Sequence, residues 1–353
     1  MSLEDLRKKI DTLDSRIVAL LNERSEVSSA IGKEKLKNKK EVYAPEREKE
    51  VLRRVQSLNE GKIPPAALQA IYREIMSASL AVEKPFSIAA LGQQGAFTNM
   101  AARKIFGSQM QYISCSLISE VFQSVERGEC DYGVVPVENS TEGAVTPTFD
   151  LLVDTELKIC RQGLLEIRHN LLSHSPLNKI KTIYSNPQVF DQCRNWLIAN
   201  FPKIGRIFVA STTEAAAICA RKKDCAAIAS SEASEVYDLP IVKADIQDIA
   251  HNMTRFLVLG NKDAAATGCD RTSILFSIKD KVGALYSMLK PFYTNKINLT
   301  KIESRPSKKK VWDYYFFVDF EGHRLDPNVK KALSELEDMC KYLKILGSYP
   351  SLE

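Results

Sequence analysis

A run of apolar residues at alternating three- and four-residue steps opens the chain and constrains its fold more than any other feature. Its members are Leu3, Leu6, Ile10, Leu13, Ile17, Leu20, Val27 and Ile31. This heptad spacing places them on one face of a helix, and no Pro or Gly interrupts the pattern before Gly32. A helix that continues to about Asn38 is roughly 50 Å long, whereas a compact domain of about 85 residues has a radius of gyration of only about 12 Å. The sequence therefore predicts that a second subunit covers this apolar face.

The composition is that of an ordinary globular chain. Its 353 residues exceed the usual size of one domain, and 44% are hydrophobic and 26% charged. No apolar run is long enough to span a membrane, and the stretch MSLEDLRKKIDTLDSR has no apolar signal-peptide region, so we expect a cytoplasmic protein. The 8 cysteines and 4 histidines show no zinc-type spacing, so we expect buried thiols, no metal and no cofactor.

The basic residues do not indicate a nucleic-acid partner. The net charge is +5, but the basic side chains are spread along the chain. The run from Ser307 to Lys310 is predicted to be a solvated hairpin tip. Small anionic molecules are the expected ligands, with no nucleic acid and no membrane.

The chain divides into three consecutive segments with different patterns of apolar and polar residues. Residues 1–85 are helical in pattern, with shorter helices predicted at about 45–60 and 65–83. Residues 86–263 alternate short apolar strands with helical stretches, which predicts an α/β domain with mainly parallel strands and a second lobe from about Gly163. After a linker at 264–268, residues 271–353 give the order β-α-β-β-α-β, which is that of a ferredoxin-like plait.

Cations interrupt the apolar face of the first helix. Arg24 takes a seam position, and a buried guanidinium is costly unless an anion meets it. Lys35 follows three helical turns later on the same face, whereas Arg7 lies roughly 100° around the helix and could serve only a partner's pocket. On the third helix, Ser79 and Glu83 interrupt another apolar stripe. Together these side chains predict a pocket for a dianion.

The segments LEDLRKKIDTLDSRIVALLNER, GKEK and PEREKEVL resemble the all-helical chorismate mutase domain over almost the whole first segment. The resemblance implies a chorismate site made of Arg7 from a second subunit, Arg24, Lys35, Arg47, Glu48, Ser79 and Glu83. In this site the arginines would bind the two carboxylates of chorismate, and Glu48 would bind the ring hydroxyl. Lys35 and Glu83 would face the ether oxygen. The rearrangement is pericyclic, so it needs a held conformer and hydrogen-bond donors rather than a nucleophile. Some relatives carry Gln in place of Glu83, so we expect Glu83 to act protonated, with a pKa raised by burial.

Polar side chains follow predicted strands of the α/β segment. In GVVPVENSTEG, a strand runs into Asn139, Ser140 and Thr141, which we expect to cap a helix whose N-terminus binds a carboxylate. LGQQGAFT reads as a second strand, Gly turn and helix, but it is not a GxGxxG dinucleotide motif. A third cluster, NMTRF, precedes the apolar stretch LVLG.

The segments GQQGAFTNMAA, GVVPVENSTEG, SNPQ and NMTRF, in this order, resemble prephenate dehydratase from Phe86 to about Asn261. The resemblance implies two α/β lobes, like those of a type II periplasmic binding protein, with prephenate in the cleft between them. The implied lining residues are Thr98, Asn139, Ser140, Thr141, Gln188, Thr254, Arg255 and Phe256.

Prephenate loses carbon dioxide and its ring hydroxyl to give phenylpyruvate, so the catalyst has to help hydroxide leave. We expect the Thr254 hydroxyl to donate a hydrogen bond to the leaving group, and Arg255 or the Asn139 cap to bind a carboxylate. His169 and His251 are the other conceivable acids.

The third segment resembles the ACT regulatory domain of prephenate dehydratases. The resemblance rests on Gly283, Ala284 and Leu285 at a predicted helix start, and on Glu303-Ser304-Arg305-Pro306 after the second strand. In that family the two segments form a phenylalanine site at a dimer interface. Gly283 would let the ligand approach a helix N-terminus.

The sequence as a whole is interpreted as a multidomain chain: an all-α chorismate mutase domain, a two-lobed α/β dehydratase domain and an α+β ferredoxin-like ACT domain. This predicts a bifunctional chorismate mutase/prephenate dehydratase, inhibited by L-phenylalanine and forming a homodimer or homotetramer. Two alternatives stay open at this point. One is a dehydratase that prefers arogenate, and the other is a non-catalytic amino-acid-binding regulator.

Overall fold

The computed structural model describes residues 1–38, 43–84, 86–278, 282–307 and 314–352, and of Leu36 only the backbone. The chain forms two compact units, Met1–Ser87 with Phe106–Gln111, and Ile88–Ile105 with Tyr112–Glu353. Within the described residues, none of the helices combines the length and apolar character of a membrane span. Of the predicted solvated hairpin tip from Ser307 to Lys310, residues 308–310 lie outside the described residues, and Ser307 is buried instead of solvated.

The first unit contains three helices, and they confirm the helical prediction. They are α1 (Leu3–Lys37), α2 (Pro45–Ser57) and α3 (Pro65–Glu83). Proline at the first position of α2 and α3 starts each helix where no intrahelical partner for its nitrogen is needed. The apolar side chains of the α1 heptad pattern are exposed within one chain, among them Ile10 at 56% and Leu20 at 61%.

The α/β region of the second unit contains the following elements: β1 (Ser87–Leu91), α4 (Phe97–Phe106), β2 (Gln111–Cys115), α5 (Ile118–Glu126), β3 (Tyr132–Asn139), β4 (Gly143–Ala144), α6 (Thr146–Asp154), β5 (Lys158–Glu166), β6 (Asn170–Leu172), β7 (Thr182–Ser185), α7 (Pro187–Gln192), α8 (Arg194–Asn200), β8 (Gly205–Phe208), α9 (Thr212–Ala220), β9 (Cys225–Ala229), α10 (Ser231–Val236), β10 (Ile241–Lys243) and β11 (Met253–Gly260). They build two sheets, which is the predicted two-lobed architecture.

Strand pairing in these sheets is mixed rather than mainly parallel. The first sheet has the order β2-β1-β3-β11-β5, with β4 paired to β3, and the second has the order β10-β6-β9-β7-β8. Strand β1 is parallel to β3, whereas the returning strand β11 is antiparallel to both of its neighbours. Because β5 stays in the first sheet up to Glu166, the chain leaves the first sheet three residues after Gly163.

Two local predictions in this region are wrong. The residues after strand β3 do not open a helix: they form a turn into β4, and α6 begins only at Thr146. The polar cluster NMTRF does not precede its strand, because Met253 is already the first residue of β11. In both places polar side chains lie within paired strands, where their partners come from distant parts of the chain.

The remaining elements form the predicted ferredoxin-like plait. They are β12 (Asp270–Ser277), α11 (Ala284–Thr294), β13 (Leu299–Pro306), β14 (Tyr314–Glu321), α12 (Pro327–Met339) and β15 (Tyr342–Pro350), and the sheet order is β13-β14-β12-β15. One face of this sheet packs on its own helices through residues such as Phe276 and Phe320.

The other face of the plait shares a core with the first α/β lobe. Phe317 and Tyr349 of the plait belong to one buried cluster with Phe149 of α6 and Ile159 of β5. At Gly347 of β15, a Cβ atom would overlap the carbonyl oxygen of Ile159, so only glycine permits this approach of the two backbones. The plait is therefore joined to the lobe by a continuous apolar core.

Candidate functional site

A polar cluster lies between α1 and α3 in the helical unit. The guanidinium Nη1 of Arg24 donates a hydrogen bond to Ser79 Oγ, and Lys35 Nζ lies 3.8 Å from Glu83 Oε2. The Glu83 side chain is only 8% exposed. Helix α1 approaches α3 closely because Gly32 has no side chain: a Cβ there would lie 2.9 Å from Glu83 Cβ. Sequence reasoning predicted the four polar side chains and missed the role of Gly32.

The surroundings of Glu83 raise the pKa of its carboxyl group. Burial raises the pKa of Glu83, while the charges of Lys35 and Arg24 act in the opposite direction and only partly offset the rise. Within the described residues, Glu83 Oε2 has no hydrogen-bond partner. A protonated Glu83 can donate a hydrogen bond to an anionic or ether oxygen in this cluster.

The other expected chorismate ligands lie on α1 and α2. Arg7 is exposed on α1, about 25 Å along the helix from Arg24. Arg47 is exposed on α2 and pairs with Glu50 at 2.6 Å, and Glu48 is half-buried on the same helix. One chain therefore brings together Arg24, Lys35, Ser79 and Glu83, while Arg7 lies far along α1 from them.

A second polar cluster joins β3 and β11 in the first α/β lobe. The two strands pair so that Thr254 lies opposite Asn139. Asn139 Nδ2 donates to Thr254 Oγ1 at 2.8 Å and to Asn252 Oδ1 at 2.7 Å. Asn139 Oδ1 accepts from the backbone nitrogen of Thr141 at 2.9 Å and from Thr141 Oγ1 at 2.6 Å. The Asn139 side chain thus caps a turn instead of a helix and holds the Thr254 hydroxyl.

An irregularity in the strand pairing lies next to this cluster. Arg255 pairs with Glu138 but Phe256 pairs with Pro136, so Val137 is an extra residue on β3. Such a bulge bends its strand and redirects the neighbouring side chains. Beyond it, the Ser140 backbone nitrogen donates to the Met253 carbonyl at 2.8 Å, and Met253 N donates to Ser140 Oγ at 2.9 Å.

Glu142 forms one of the contacts between the two α/β lobes. Its carboxylate accepts hydrogen bonds from the side-chain amides of Gln188 and Gln192 on α7. Gln188 is one of the residues expected to line the cleft, and the Glu142 contact places it on the opposite lobe from Asn139. The turn after β3 thus reaches the second lobe.

His169 is fully buried near this junction. Its Nε2 lies 2.6 Å from Gln192 Oε1, and its ring packs edge-on against Phe97. Burial lowers the pKa of His169 to about 4, a shift that the Gln192 contact only partly offsets. The side chain is therefore neutral near pH 7, which argues against His169 as the acid. His251 places its backbone carbonyl 3.4 Å from Ser140 Oγ.

Arg255 lies among side chains of the plait and of β5. Its Nη1 lies 2.6 Å from Asp319 Oδ2, its Nε 2.9 Å from Gln162 Oε1 and its Nη2 2.9 Å from the Tyr349 hydroxyl. Neighbouring side chains of a strand point to opposite faces, so Arg255 lies on the far side of β11 from Thr254. The guanidinium is thus held by Asp319 and Tyr349 of the plait and by Gln162 of β5, and binding of a prephenate carboxylate by Arg255 stays a prediction.

Two further expected lining residues are buried. Thr98 lies in the first turn of α4, and Phe256 is 1% exposed within β11. Phe256 is part of the packing of the sheet, and its expected role in lining the cleft stays a prediction. No sequence pattern singled out Glu142 or Gln192, since their roles depend on the approach of the two lobes. Asn252 accepts a hydrogen bond from Asn139. It is the first residue of the NMTRF segment but was not among the expected lining residues.

One open cleft of the described α/β region lies away from these clusters. A cleft of about 410 Å³ is lined by Gln94, Ser231, Glu232, Glu235 and Val236. Its two glutamates would repel a dianionic ligand, so we do not assign prephenate to it. Within the described residues, no group of three or more His, Cys, Asp or Glu side chains could hold a metal ion.

The expected sensor residues lie in two places within one chain. Gly283 precedes α11 with a φ of 76°, a left-handed conformation that explains the glycine, and is followed by buried Ala284 and partly exposed Leu285. The residues Glu303, Ser304, Arg305 and Pro306 end strand β13, which β14 separates from β12. Arg305 Nη2 lies 3.7 Å from Asp150 Oδ1 on α6, so this segment reaches the α/β lobe.

Comparisons with known families match three parts of the chain. The model of chorismate mutase type II matches residues 6–84, the model of prephenate dehydratase residues 88–264, and the model of the ACT domain residues 272–338. The first match contains the α1–α3 cluster, and the second contains the cluster of Asn139 and Thr254.

Curated relatives match the chain from end to end. A bifunctional chorismate mutase/prephenate dehydratase of Aquifex aeolicus is 46% identical, over 99% of this chain and 98% of the relative. A protein of Neisseria gonorrhoeae with the same description is 45% identical, over 98% and 96%. Among solved structures, prephenate dehydratase of Arthrobacter aurescens in complex with L-Phe is 31% identical with a TM-score of 0.70, and the match covers 75% of this chain and 90% of that one.

Proposed function

The chain belongs to the bifunctional chorismate mutase/prephenate dehydratase family, and on that premise we propose a division of labour between its parts. The helical unit rearranges chorismate to prephenate, and the two α/β lobes convert prephenate to phenylpyruvate. One observation carries the proposal: the two polar clusters lie in the two segments that the mutase and dehydratase models match. The cytoplasmic location expected from the sequence stays a prediction.

In the mutase, the cluster of Arg24, Lys35, Ser79 and Glu83 holds the reactive conformer of chorismate. Arg24 binds a carboxylate, while Lys35 and protonated Glu83 face the ether oxygen, where negative charge develops as the bond breaks. Donors held in place before the reaction stabilise that charge without reorganisation. Arg47 and Glu48 are assigned to the second carboxylate and the ring hydroxyl. No proton transfer is required.

A second copy of the chain completes this site. The exposed apolar face of α1 would be costly in water, since burying apolar surface contributes roughly 25 cal/mol per Å². Arg7 lies on this helix about 25 Å from Arg24, so it reaches a pocket only in a partner. We therefore assign a homodimer or a homotetramer. Light scattering on the purified chain tests this, and a monomer at micromolar concentration would contradict it.

In the dehydratase, the Thr254 hydroxyl donates a hydrogen bond to the departing ring hydroxyl. Its Oγ1 already accepts from Asn139, so this hydrogen bond fixes the oxygen while the hydroxyl proton is left for donation. Departure of hydroxide and loss of carbon dioxide from the ring then give an aromatic product. Thr98, Ser140, Thr141 and Gln188 are assigned to prephenate binding around this point.

The plait is proposed as a sensor of L-phenylalanine. Support comes from the ACT model and from the similarity to a dehydratase that was solved in complex with L-Phe. Gly283–Leu285 of one copy and Glu303–Pro306 of another would form the site, because the two segments are apart within one chain. Inhibition requires that phenylalanine binds one state of the enzyme more tightly than the other.

A time course with purified protein and chorismate tests the whole proposal. Prephenate should appear first and phenylpyruvate afterwards, and phenylalanine should slow the second step. Accumulation of prephenate without phenylpyruvate would favour the arogenate-preferring alternative. Binding of prephenate and phenylalanine with no turnover would favour the non-catalytic regulator.

A further inference from the structure

Strand β13 of the plait points a row of charged side chains at the dehydratase lobe. Alternate residues of a strand share a face, so Lys301, Glu303 and Arg305 point the same way, and all three are half-buried. Lys301 pairs across the sheet with Asp319, whose carboxylate contacts Arg255 of β11. The strand that ends in the proposed phenylalanine segment therefore faces the sheet that carries Thr254.

The contact that spans this interface is between Lys301 and Glu138. Lys301 Nζ lies 2.7 Å from Glu138 Oε1, and the Lys301 side chain is 13% exposed. Its ammonium also lies 5.6 Å from the centroid of the Phe149 ring. An ion pair with one buried member is screened less than a surface pair, and loss of one partner leaves the other partly desolvated. The position of Glu138 is thus sensitive to the position of Lys301.

Glu138 is the immediate neighbour of the residue that holds Thr254. It lies at the β3 bulge, directly before Asn139, and it also lies 3.9 Å from Arg255 Nη1. Asn139 in turn donates to Thr254 Oγ1 at 2.8 Å. Because Glu138 and Asn139 are joined by one peptide bond, a displacement of Glu138 also displaces the side-chain amide of Asn139. The bulge gives β3 the local freedom to respond, because Val137 is left out of the regular pairing.

From this geometry we propose that Lys301 is a positioning residue of the dehydratase, which ties the sensor strand to the Asn139–Thr254 pair through Glu138. Phenylalanine bound at Glu303–Pro306 shifts the position of β13. Because Lys301 of β13 pairs with Glu138, this shift changes the position of Glu138. The inference rests on the proposed function, since it assigns the path by which the same sensor acts on the same site. Lys301 itself does not touch prephenate.

The test measures coupling in the full-length protein. The prephenate concentration for half-maximal turnover is determined with and without saturating phenylalanine, and the ratio of the two values is the coupling factor. Calorimetry gives the phenylalanine affinity separately. In Lys301→Met, we expect the coupling factor to fall by about fivefold or more, to near one, while phenylalanine affinity without prephenate changes by less than about threefold. Lys301→Arg should keep most of the coupling.

A matched control removes a charge elsewhere in the plait. Lys330 is exposed on α12, and Lys330→Met should leave the coupling factor unchanged. Because Lys301→Met could fold poorly, the reversed pair of Lys301→Glu with Glu138→Lys provides a second test. We expect each single reversal to lower the coupling and the pair to restore it.

Each outcome separates this inference from the proposed function. Equal coupling in Lys301→Met and the wild type would overturn the inference and leave the enzyme assignment intact. Loss of phenylalanine binding in Lys301→Met would also overturn it, because Lys301 would then belong to the binding site. The inference would also be overturned if the double variant Lys301→Glu with Glu138→Lys had a coupling factor no larger than those of its two single variants. A wild type without prephenate turnover would instead contradict the proposed function.

Discussion

Glu83 occupies the space that a side chain on Gly32 would fill: a Cβ built on Gly32 lies 2.9 Å from the Cβ and the Cγ of Glu83. The glycine thus sets how closely α1 approaches the carboxylate of α3. Glycine inside a helix lowers the stability of the helix by roughly 1 kcal/mol relative to alanine. The proximity of Glu83 explains why glycine nevertheless stands at position 32.

Gly32→Ala should therefore lower the mutase activity. The added methyl group displaces Glu83 from Lys35, and a misplacement of about 1 Å at a reacting centre can cost on the order of a hundredfold in rate. We expect a loss of about ten- to a hundredfold in kcat/KM for chorismate, measured by its disappearance. Gly61→Ala is the matched control, since only Asn59 Oδ1 lies near its Cβ, at 3.7 Å. Equal activities of the two variants would contradict the role of Gly32.

Mutase activity should fall as the pH rises. Burial raises the pKa of Glu83, so its protonated, hydrogen-bond-donating form persists to a higher pH than in a free glutamate. Above that pKa the protonated fraction decreases by about tenfold per pH unit, and the rate should follow. Glu83→Gln keeps a donor that does not titrate, so its pH–rate profile should be flat in this range. A parallel decline in the variant would remove Glu83 from the ether-oxygen role.

Dehydratase activity should depend on the hydroxyl of residue 254. Thr254→Ser keeps the hydroxyl that accepts from Asn139 and should stay within about threefold of the wild type. Thr254→Val keeps the shape and loses the donor, and removal of one such donor typically costs about a hundred- to a thousandfold in kcat. Phenylpyruvate formation from prephenate is the measurement, and mutase activity in the same preparation is the control. Similar rates in all three proteins would exclude Thr254 from catalysis.

The stability of the folded chain should depend on His169 below neutral pH. Its pKa is lowered by burial to about 4, from an ordinary value of 6.5. Above the ordinary value both states are neutral. As the pH falls through this window, the unfolded state gains a proton that the folded state excludes, and stability is lost.

Between about pH 7 and about pH 5, His169 should thus lower the free energy of unfolding by on the order of 1 to 2 kcal/mol. Urea unfolding of the wild type and of His169→Gln at both pH values measures this, since other titrating groups cancel in the difference. The variant should also retain phenylpyruvate formation, because a neutral buried imidazole is not the acid. An identical pH dependence of the two proteins would show that His169 titrates normally.

Local periodicity was sufficient to predict much of the fold. The heptad spacing from Leu3 to Ile31 predicted a helix that the structure bounds at Leu3–Lys37, and the strand and helix order of the plait was read correctly. These features follow from side-chain spacing along one element, with a period of about 3.6 residues in helices and 2 in strands. Arg24, Lys35, Ser79 and Glu83 were predictable as a group because their spacing places them on facing helices.

The tertiary structure decided which side chains from distant parts of the chain become hydrogen-bond partners. Asn139 caps a turn and holds Thr254, although its local sequence is typical of a helix start. Arg255 follows Thr254 in sequence but points away from it, to Asp319 of the plait. A polar side chain takes whichever partner the packing of sheets and lobes brings within hydrogen-bond distance, and that choice is set by pairing register and sheet contacts. The sequence alone determined which residues are polar and which stretches are periodic, and only the assembled sheets decided where strands such as β11 begin and which polar residues meet.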